Sequence, residues 1–214
     1  MNDVALAMNP ILIGIAGPGG AGKDTVGSIL EEFNFAHISA SDMLRAEMKA
    51  SGVDKSSQDR RGQNHFANAC RAKHGGHYFV KTAFEAALAA AHENNSLQRP
   101  QLGVSGIYTV TEVHYFLKHL AGTLIYVDAS PDLRFARLTH RADGRRDHMS
   151  RTDFEKAEVR ESTGVSDNDA NLTRVREFAA YEICNDGTLD DLRHQVEAMI
   201  NSKLARKATR IGHR

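Results

Sequence analysis

Ile11-Leu12-Ile13-Gly14-Ile15-Ala16-Gly17-Pro18-Gly19-Gly20-Ala21-Gly22-Lys23-Asp24-Thr25 is the stretch on which the whole chain depends. It is an apolar run, then a glycine-rich turn, and a helical pattern follows from Val26 to Phe33. A buried strand, a curled loop and a helix start, in that order, form a cradle for phosphate. Glycines let successive backbone N–H groups point inward. The helix that follows presents unpaired N–H groups and the positive end of its dipole to an anion. Lys23 adds a point charge on a long stem that can reach a terminal phosphate. Gly17, Gly22 and Lys23 are in register with the phosphate-loop pattern. The next position departs from it, because Asp24 stands where Ser or Thr is usual and Thr25 comes one step later. A plain strand-to-helix turn is the bland alternative, and it has no need of the lysine. The expected ATP contacts are therefore Gly17, Gly19, Gly20, Ala21, Gly22, Lys23, Asp24 and Thr25.

The 214 residues, 25% of them charged, suit a single domain with one core, over about residues 1–202. A formal net charge of zero creates no global field for nucleic acid, so none is expected as a partner. Two cysteines, Cys70 and Cys184, lie far apart, which excludes a disulfide framework and suits a reducing cytoplasm. Met1 to Pro10 lacks the basic and apolar parts of a signal peptide, and no stretch is apolar enough to cross a bilayer.

Working outward from the loop, strand and helix signals alternate, as in a parallel sheet covered by helices. Strands are expected at Ile11–Ala16, Phe35–Ser39, Gln101–Ser105, Thr123–Asp128 and Tyr181–Cys184. Helices are expected at Ser41–Lys49, Arg60–Lys73, Tyr78–Glu93, Thr109–Leu120, from Pro131 to about His140, at Arg151–Glu161, near Ala170–Ala179, and from Thr188 to about Asn201. The basic tail, Lys203–Arg214, reads as frayed and solvated rather than as a nucleic-acid arm. The fold class is α/β, a doubly wound and mostly five-stranded parallel sheet. Its ligand crevice lies beyond the carboxyl ends of the strands. That places the phosphate loop, Ser39–Asp42, Ser105–Tyr108, the loop after Asp128 and Asn185–Gly187 around one site.

The second strand ends in Ile38-Ser39-Ala40-Ser41-Asp42-Met43-Leu44-Arg45. Here the sequence resembles a nucleotide kinase. The stretch is similar to the adenylate-kinase motif in which an arginine holds the phosphate of the acceptor monophosphate. Gly22-Lys23-Asp24-Thr25 resembles the loop of phage-type deoxynucleoside monophosphate kinases. Val127 to Leu138 looks like the segment leading into the lid of small P-loop kinases. Asn185 to Leu192 is similar to the base-side loop of dephospho-CoA kinases. Gln63–Ala87 looks like the acceptor-binding helices of an uncharacterised kinase-like group. The resemblance covers most of residues 11–200. It implies a P-loop kinase with acceptor-binding helices at about 41–94 and a short lid at about 137–150. It also implies Ser39, Asp42, Arg45 and His77 on the acceptor, and Asn185 and Gly187 on the ATP side. Two anion sites on neighbouring strand ends suit phosphoryl transfer, where donor and acceptor must be held in line.

Arg137, Arg141, Arg145 and Arg146 are the lid candidates, and Arg137 and Arg141 are spaced to share a helix face. With Lys23 and Asp42 they make the expected catalytic set, Asp42 as acid–base or positioning group. An exposed, salt-bridged face is the plainer reading for any one of these arginines. Magnesium is expected with ATP, yet the third strand ends at Ser105 where relatives often carry an aspartate. Asp24, acting through water, and Thr25 are the candidate metal ligands; Asp42 or Asp128 could serve instead. His65, Cys70, His74 and His77 do not have the spacing of a zinc finger. The function expected is transfer of the ATP γ-phosphate to a nucleoside or deoxynucleoside monophosphate. A dephospho-CoA kinase or another hydroxyl-acceptor kinase is the alternative, and a catalytically weak nucleotide-binding regulator is the third reading. Small-molecule nucleotides are the expected partners, without a membrane; the oligomeric state is left open.

Overall fold

The computed structural model describes residues 10–53, 60–93, 100–140 and 149–211. The elements are β1 (Ile11–Ala16), α1 (Lys23–Glu32), β2 (Ala36–Ser39), α2 (Ala40–Ala50), α3 (Arg60–His74), α4 (Tyr78–Glu93) and β3 (Gln101–Ile107). After them come α5 (Val110–His114), a π-helical turn (Tyr115–His119), β4 (Thr123–Asp128), α6 (Pro131–Thr139), α7 (Arg151–Ser162), α8 (Leu172–Arg176), β5 (Tyr181–Cys184) and α9 (Leu189–Ile211). The sheet has five strands in the order β2-β3-β1-β4-β5, and every pairing is parallel. The α/β doubly wound architecture read from the alternating pattern is therefore the fold.

β1 is central and wholly buried, and its two faces serve different layers. Ile11, Ile13 and Ile15 pack with Val26, Ile29 and Leu30 of α1 and with Leu192 and Val196 of α9. Leu12 and Ala16 face the other layer, with Val80 and Phe84 of α4, Val113 and Phe116. A two-residue period in a strand buried on both sides explains why β1 reads as a continuous apolar run. The strand order reverses beside β1, so the crevice opens at the carboxyl end of the strand that carries the phosphate loop.

Boundaries differ from the sequence reading where local chemistry was overridden. β3 continues to Ile107, because a bulge between Ile15 and Ala16 shifts the register so that Ala16 pairs with Ile107. The Thr109–Leu120 helix is α-helical only to His114 and then widens, with Leu120 N–H donating to Tyr115 O. Ala170–Ala179 contracts to Leu172–Arg176, capped by Asn171, whose Oδ1 accepts from Arg174 N at 3.0 Å. α9 runs through the segment read as a frayed tail as far as Ile211; no Gly or Pro interrupts Leu189–Ile211.

His37 on β2 packs flat against α1 where Gly27 has no side chain. A Cβ there would meet the imidazole at 2.2 Å. Gly27→Ala is therefore expected to destabilise the protein by about 1–3 kcal/mol through overpacking, although alanine is the better helix former. Denaturant unfolding of the two forms measures this, and an unchanged or raised midpoint would show that the ring moves aside freely.

Candidate active site

The loop between β1 and α1 is held from behind as well as shaped by its glycines. Gly17, Gly20 and Gly22 have φ of 142°, 77° and 98°. A Cβ on Gly17 would lie 2.0 Å from Val127 O, and one on Gly20 would lie 2.6 Å from Arg134 O. Larger residues are barred by conformation and by the close approach of β4 and α6. Gly19 and Ala21 are buried in the same turn. Gly22 caps α1 without a side-chain hydrogen bond, so the first N–H groups of the helix face the loop. Lys23 is 9% exposed, and its Nζ donates to Gly17 O at 2.7 Å and Pro18 O at 2.8 Å. Asp24 and Thr25 lie exposed on the first turn of α1.

Asn185 sits behind the loop. Its Nδ2 donates to Ala21 O at 2.8 Å, and a Cβ on Gly22 would strike this amide at 2.2 Å. Arg137 closes the same buttress, with Nη2 donating to Asn185 O at 2.9 Å and Nη1 to Gly20 O at 3.5 Å. α6 thus presses on the phosphate loop through an arginine. Gly187 is exposed in the turn before α9, where Thr188 Oγ1 accepts from Asp191 N at 3.2 Å. Arg141, Arg145 and Arg146 lie outside the described residues.

On the other side of the loop, Ser39 caps α2 and accepts from Asp42 N at 3.3 Å. Asp42 and Arg45 form an ion pair on the surface of α2, with 59% and 27% of their side chains exposed. His77 stacks on Tyr115 with ring centroids 4.3 Å apart. None of these four lines the cavity of about 400 Å³ that opens between α2, α3, the end of β3 and the segment after α7. Its walls are Ser41 and Leu44 from α2, Asn64 and Arg71 from α3, Tyr108 after β3, and Arg160 from α7. Tyr108 joins it to the phosphate loop, for Lys23 Nζ lies 5.3 Å from the centre of the Tyr108 ring.

Glu112 organises this wall and was not singled out in the sequence. It is fully buried. Its Oε2 accepts from Tyr108 N at 2.9 Å and Thr109 N at 3.1 Å, while its Oε1 accepts from Arg71 Nε at 3.1 Å and Nη2 at 2.8 Å. Glu112 N donates to Thr109 Oγ1, which completes a capping box. Thr109-x-x-Glu112 is the sequence signature of that box and could have drawn attention to it. Only the fold shows that the same carboxylate pins α3 to the strand end.

Ser105, at the position where a carboxylate was awaited, is 1% exposed and lies 3.1 Å from His37 Nε2. Burial pushes the imidazole of His37 below its ordinary value, against the opposing pull of Asp24, Glu31 and Asp42. His77 is lowered too, mainly by burial and also by Lys81 and His119. Both rings are thus neutral in the fold at a pH where the unfolded chain begins to take up protons. Their contribution is complete above about pH 6.5 and is lost as pH falls from there toward the lower native values. Stability is expected to fall between pH 7 and pH 5, with a shallower slope in His37→Gln. Urea midpoints across that range test it, and parallel slopes would remove His37 as a source.

Asp128, at the end of β4, lies 3.6 Å from Arg134 Nε and 3.5 Å from Arg176 Nη1. Arg134 is buried, donates to Ala129 O at 2.8 Å, and pairs with Glu158 of α7. Asp128 therefore belongs to a network that ties α6 to α7 and α8. Among the described residues no group of three or more His, Cys, Asp or Glu side chains is placed to hold a metal ion. No helix among them is long and apolar enough to cross a membrane.

Comparison with known proteins bears on the fold and the family. The chain is 29% identical to a UPF0200 protein of Methanocaldococcus jannaschii over 195 residues, covering 91% of each chain. It is 29% identical to a UPF0200 protein of Methanothermobacter thermautotrophicus over 203 residues, covering 94% of each. Among solved structures, TT1252 from Thermus thermophilus superposes over 90% of this chain and 97% of its own, with a TM-score of 0.54 at 19% identity. A candidate kinase from Chloroflexus aurantiacus superposes over 88% and 97%, with a TM-score of 0.53 at 14% identity. At such identities the likeness speaks for the fold, which is of the P-loop kinase type. The model of the AAA domain family matches residues 16–155, from the last residue of β1 through the phosphate loop, the part of the cavity wall supplied by α2, α3 and the end of β3, and α6, and the chain belongs to that family.

Proposed function

We propose that this protein is an ATP-dependent phosphotransferase that passes the γ-phosphoryl group to a small molecule seated in the cavity beside the phosphate loop. One observation carries the reading: Tyr108 is shared by both halves, as a wall of the cavity and as the ring 5.3 Å from Lys23 Nζ. Donor and acceptor would thus meet at the carboxyl ends of β1 and β3. Holding two reactants in place is the main contribution a protein makes to phosphoryl transfer.

The backbone of Gly17–Gly22 and the start of α1 would cradle the ATP phosphates, and Lys23 would exchange its two carbonyl partners for phosphate oxygens. Arg137 and Asn185 would act through the loop, by holding its shape. Magnesium, held by the Thr25 hydroxyl and through water by Asp24, would neutralise charge on the phosphates. Both side chains are exposed on the turn that faces the loop and offer hard oxygens, so they fit that ion. Arg141 remains a candidate to cover the transferring group.

The acceptor proposed from the sequence is a nucleoside or deoxynucleoside monophosphate touched by Ser39, Asp42, Arg45 and His77, but none of these four lines the cavity proposed here as its seat. A hydroxyl acceptor is the second reading, favoured by the position of Arg45 away from the cavity. A cytoplasmic setting fits two unpaired cysteines. The test incubates the protein with MgATP and a panel of ribo- and deoxynucleoside monophosphates, nucleosides and dephospho-CoA, and follows ADP. Acceptor-dependent ADP formation supports phosphotransfer. ATP binding with no turnover of any acceptor would leave a nucleotide-binding regulator in its place.

A further inference from the structure

We infer that the acceptor is nucleoside-like and enters the cavity without a phosphate: a hydroxyl receives the phosphoryl group, and a heterocyclic edge is read by carboxamides of α3. This rests on the phosphotransfer reading above and specifies its acceptor.

The first observation is charge. Arg71 lines the cavity, but it is already neutralised by Glu112, which is wholly buried behind it. Arg160 lines the opposite wall together with the carboxylates Glu161 and Asp169. Among the described lining residues the positive and negative side chains balance, and Glu112 adds a further negative charge behind the wall. A phosphate dianion needs a surplus of positive charge when it leaves water, and the described lining residues do not offer one. Arg45, the cation expected to hold an acceptor phosphate, is paired with Asp42 on the surface of α2.

The second observation is the pattern on α3. Gln63, Asn64 and Asn68 all line the cavity, on the stripe that carries Ala67 and Arg71. A carboxamide offers a donor and an acceptor side by side, which matches the paired edge of a nucleobase. Arg71 Nη1 donates to Asn68 Oδ1 at 3.3 Å, so the buried ion pair also orients one of the amides and leaves its N–H groups to donate. Leu44, Phe79 and Tyr108 supply apolar and aromatic surface for the face of a ring. A volume of about 400 Å³ is of metabolite size.

In the transfer, the hydroxyl oxygen of the acceptor bonds to the γ-phosphorus. The bond from that phosphorus to the β,γ-bridging oxygen breaks, and ADP departs with its electron pair. The hydroxyl proton passes to solvent, so each turnover yields a phosphate monoester, ADP and one proton. A monophosphate acceptor would give a diphosphate instead, from an oxygen that is already ionised.

The experiment supplies the full chain with MgATP and each nucleoside or its 5′-monophosphate. ADP and inorganic phosphate are followed, and the product is identified by ³¹P NMR. The expected result is nucleoside-dependent ADP formation with a new monoester resonance. In Asn64→Ala/Asn68→Ala the nucleoside KM should rise roughly tenfold, with the ATP KM unchanged. Asn64→Lys, which adds a cation to the wall, should shift the preference from nucleoside toward monophosphate. Turnover of monophosphates in preference to nucleosides would overturn the inference while leaving phosphotransfer intact. A double variant that folds and keeps its nucleoside KM would overturn it as well, by showing that the carboxamides do not read the acceptor. ATP binding without any acceptor-dependent ADP would overturn both the inference and the proposed function.

Discussion

Lys23→Ala is expected to lower ATP-dependent turnover by at least about 10²-fold, the scale of losing one pre-positioned donor to a phosphate oxygen. The fold should survive. Lys23 packs at the start of α1 with its charge solvated by two carbonyls of its own loop, Gly17 O at 2.7 Å and Pro18 O at 2.8 Å. Removing it takes a cation out of a buried place as well as leaving two acceptors short. The stability change should therefore be small, about 1–2 kcal/mol. Lys23→Met, which keeps the apolar stem, should retain more of the stability and recover none of the rate. Steady-state ADP release and a thermal unfolding curve on the same samples separate the two effects. A Lys23→Ala enzyme with unchanged kcat would remove this loop from the chemistry.

Glu112→Ala should be the most destabilising substitution among those considered. It strands the largely buried guanidinium of Arg71 and leaves the N–H groups of Tyr108 and Thr109 without their carboxylate. Breaking a buried pair by deleting one member costs about 3–5 kcal/mol, chiefly from the charge left behind. Removing both members should cost less, because no buried charge then remains. Glu112→Ala/Arg71→Met should therefore recover part of the loss, a non-additivity that urea midpoints of the two singles and the double can measure. Additive losses would mean that Arg71 finds water when Glu112 is gone. The acceptor KM should rise in every one of these variants, since α3 is pinned to the strand end by this contact alone among those Glu112 makes.

Local chemistry explains which parts were legible. The phosphate loop is continuous in sequence, and its glycines, its lysine and the apolar strand before it each have a local reason. The β1, β4 and β5 boundaries, the Ser130-Pro131 helix start and the Thr188 cap follow from rules that span a few residues. The surroundings of the expected ligand contacts depend on more than such rules. Arg45 lies on the helix that motif spacing assigns, but the rotation of α2 brings it to Asp42 and the surface. Asn185, expected near the base, is turned back onto Ala21 O. Helix rotation and loop direction depend on packing between layers, and no short motif encodes them.

By itself the sequence determined that this is a parallel α/β chain with a phosphate cradle after its first strand. Period-two apolar runs, glycines and a lysine are local properties, and they survive any arrangement of the rest. Only the tertiary structure decided that Tyr108 links that cradle to a cavity, that Glu112 neutralises the arginine in the cavity wall, and that His37 meets Ser105 in the place of the awaited carboxylate. Those pairs lie 41 to 85 residues apart in sequence or on different strands. Their charge balance, and with it the kind of molecule the cavity suits, exists only after the sheet has brought them together.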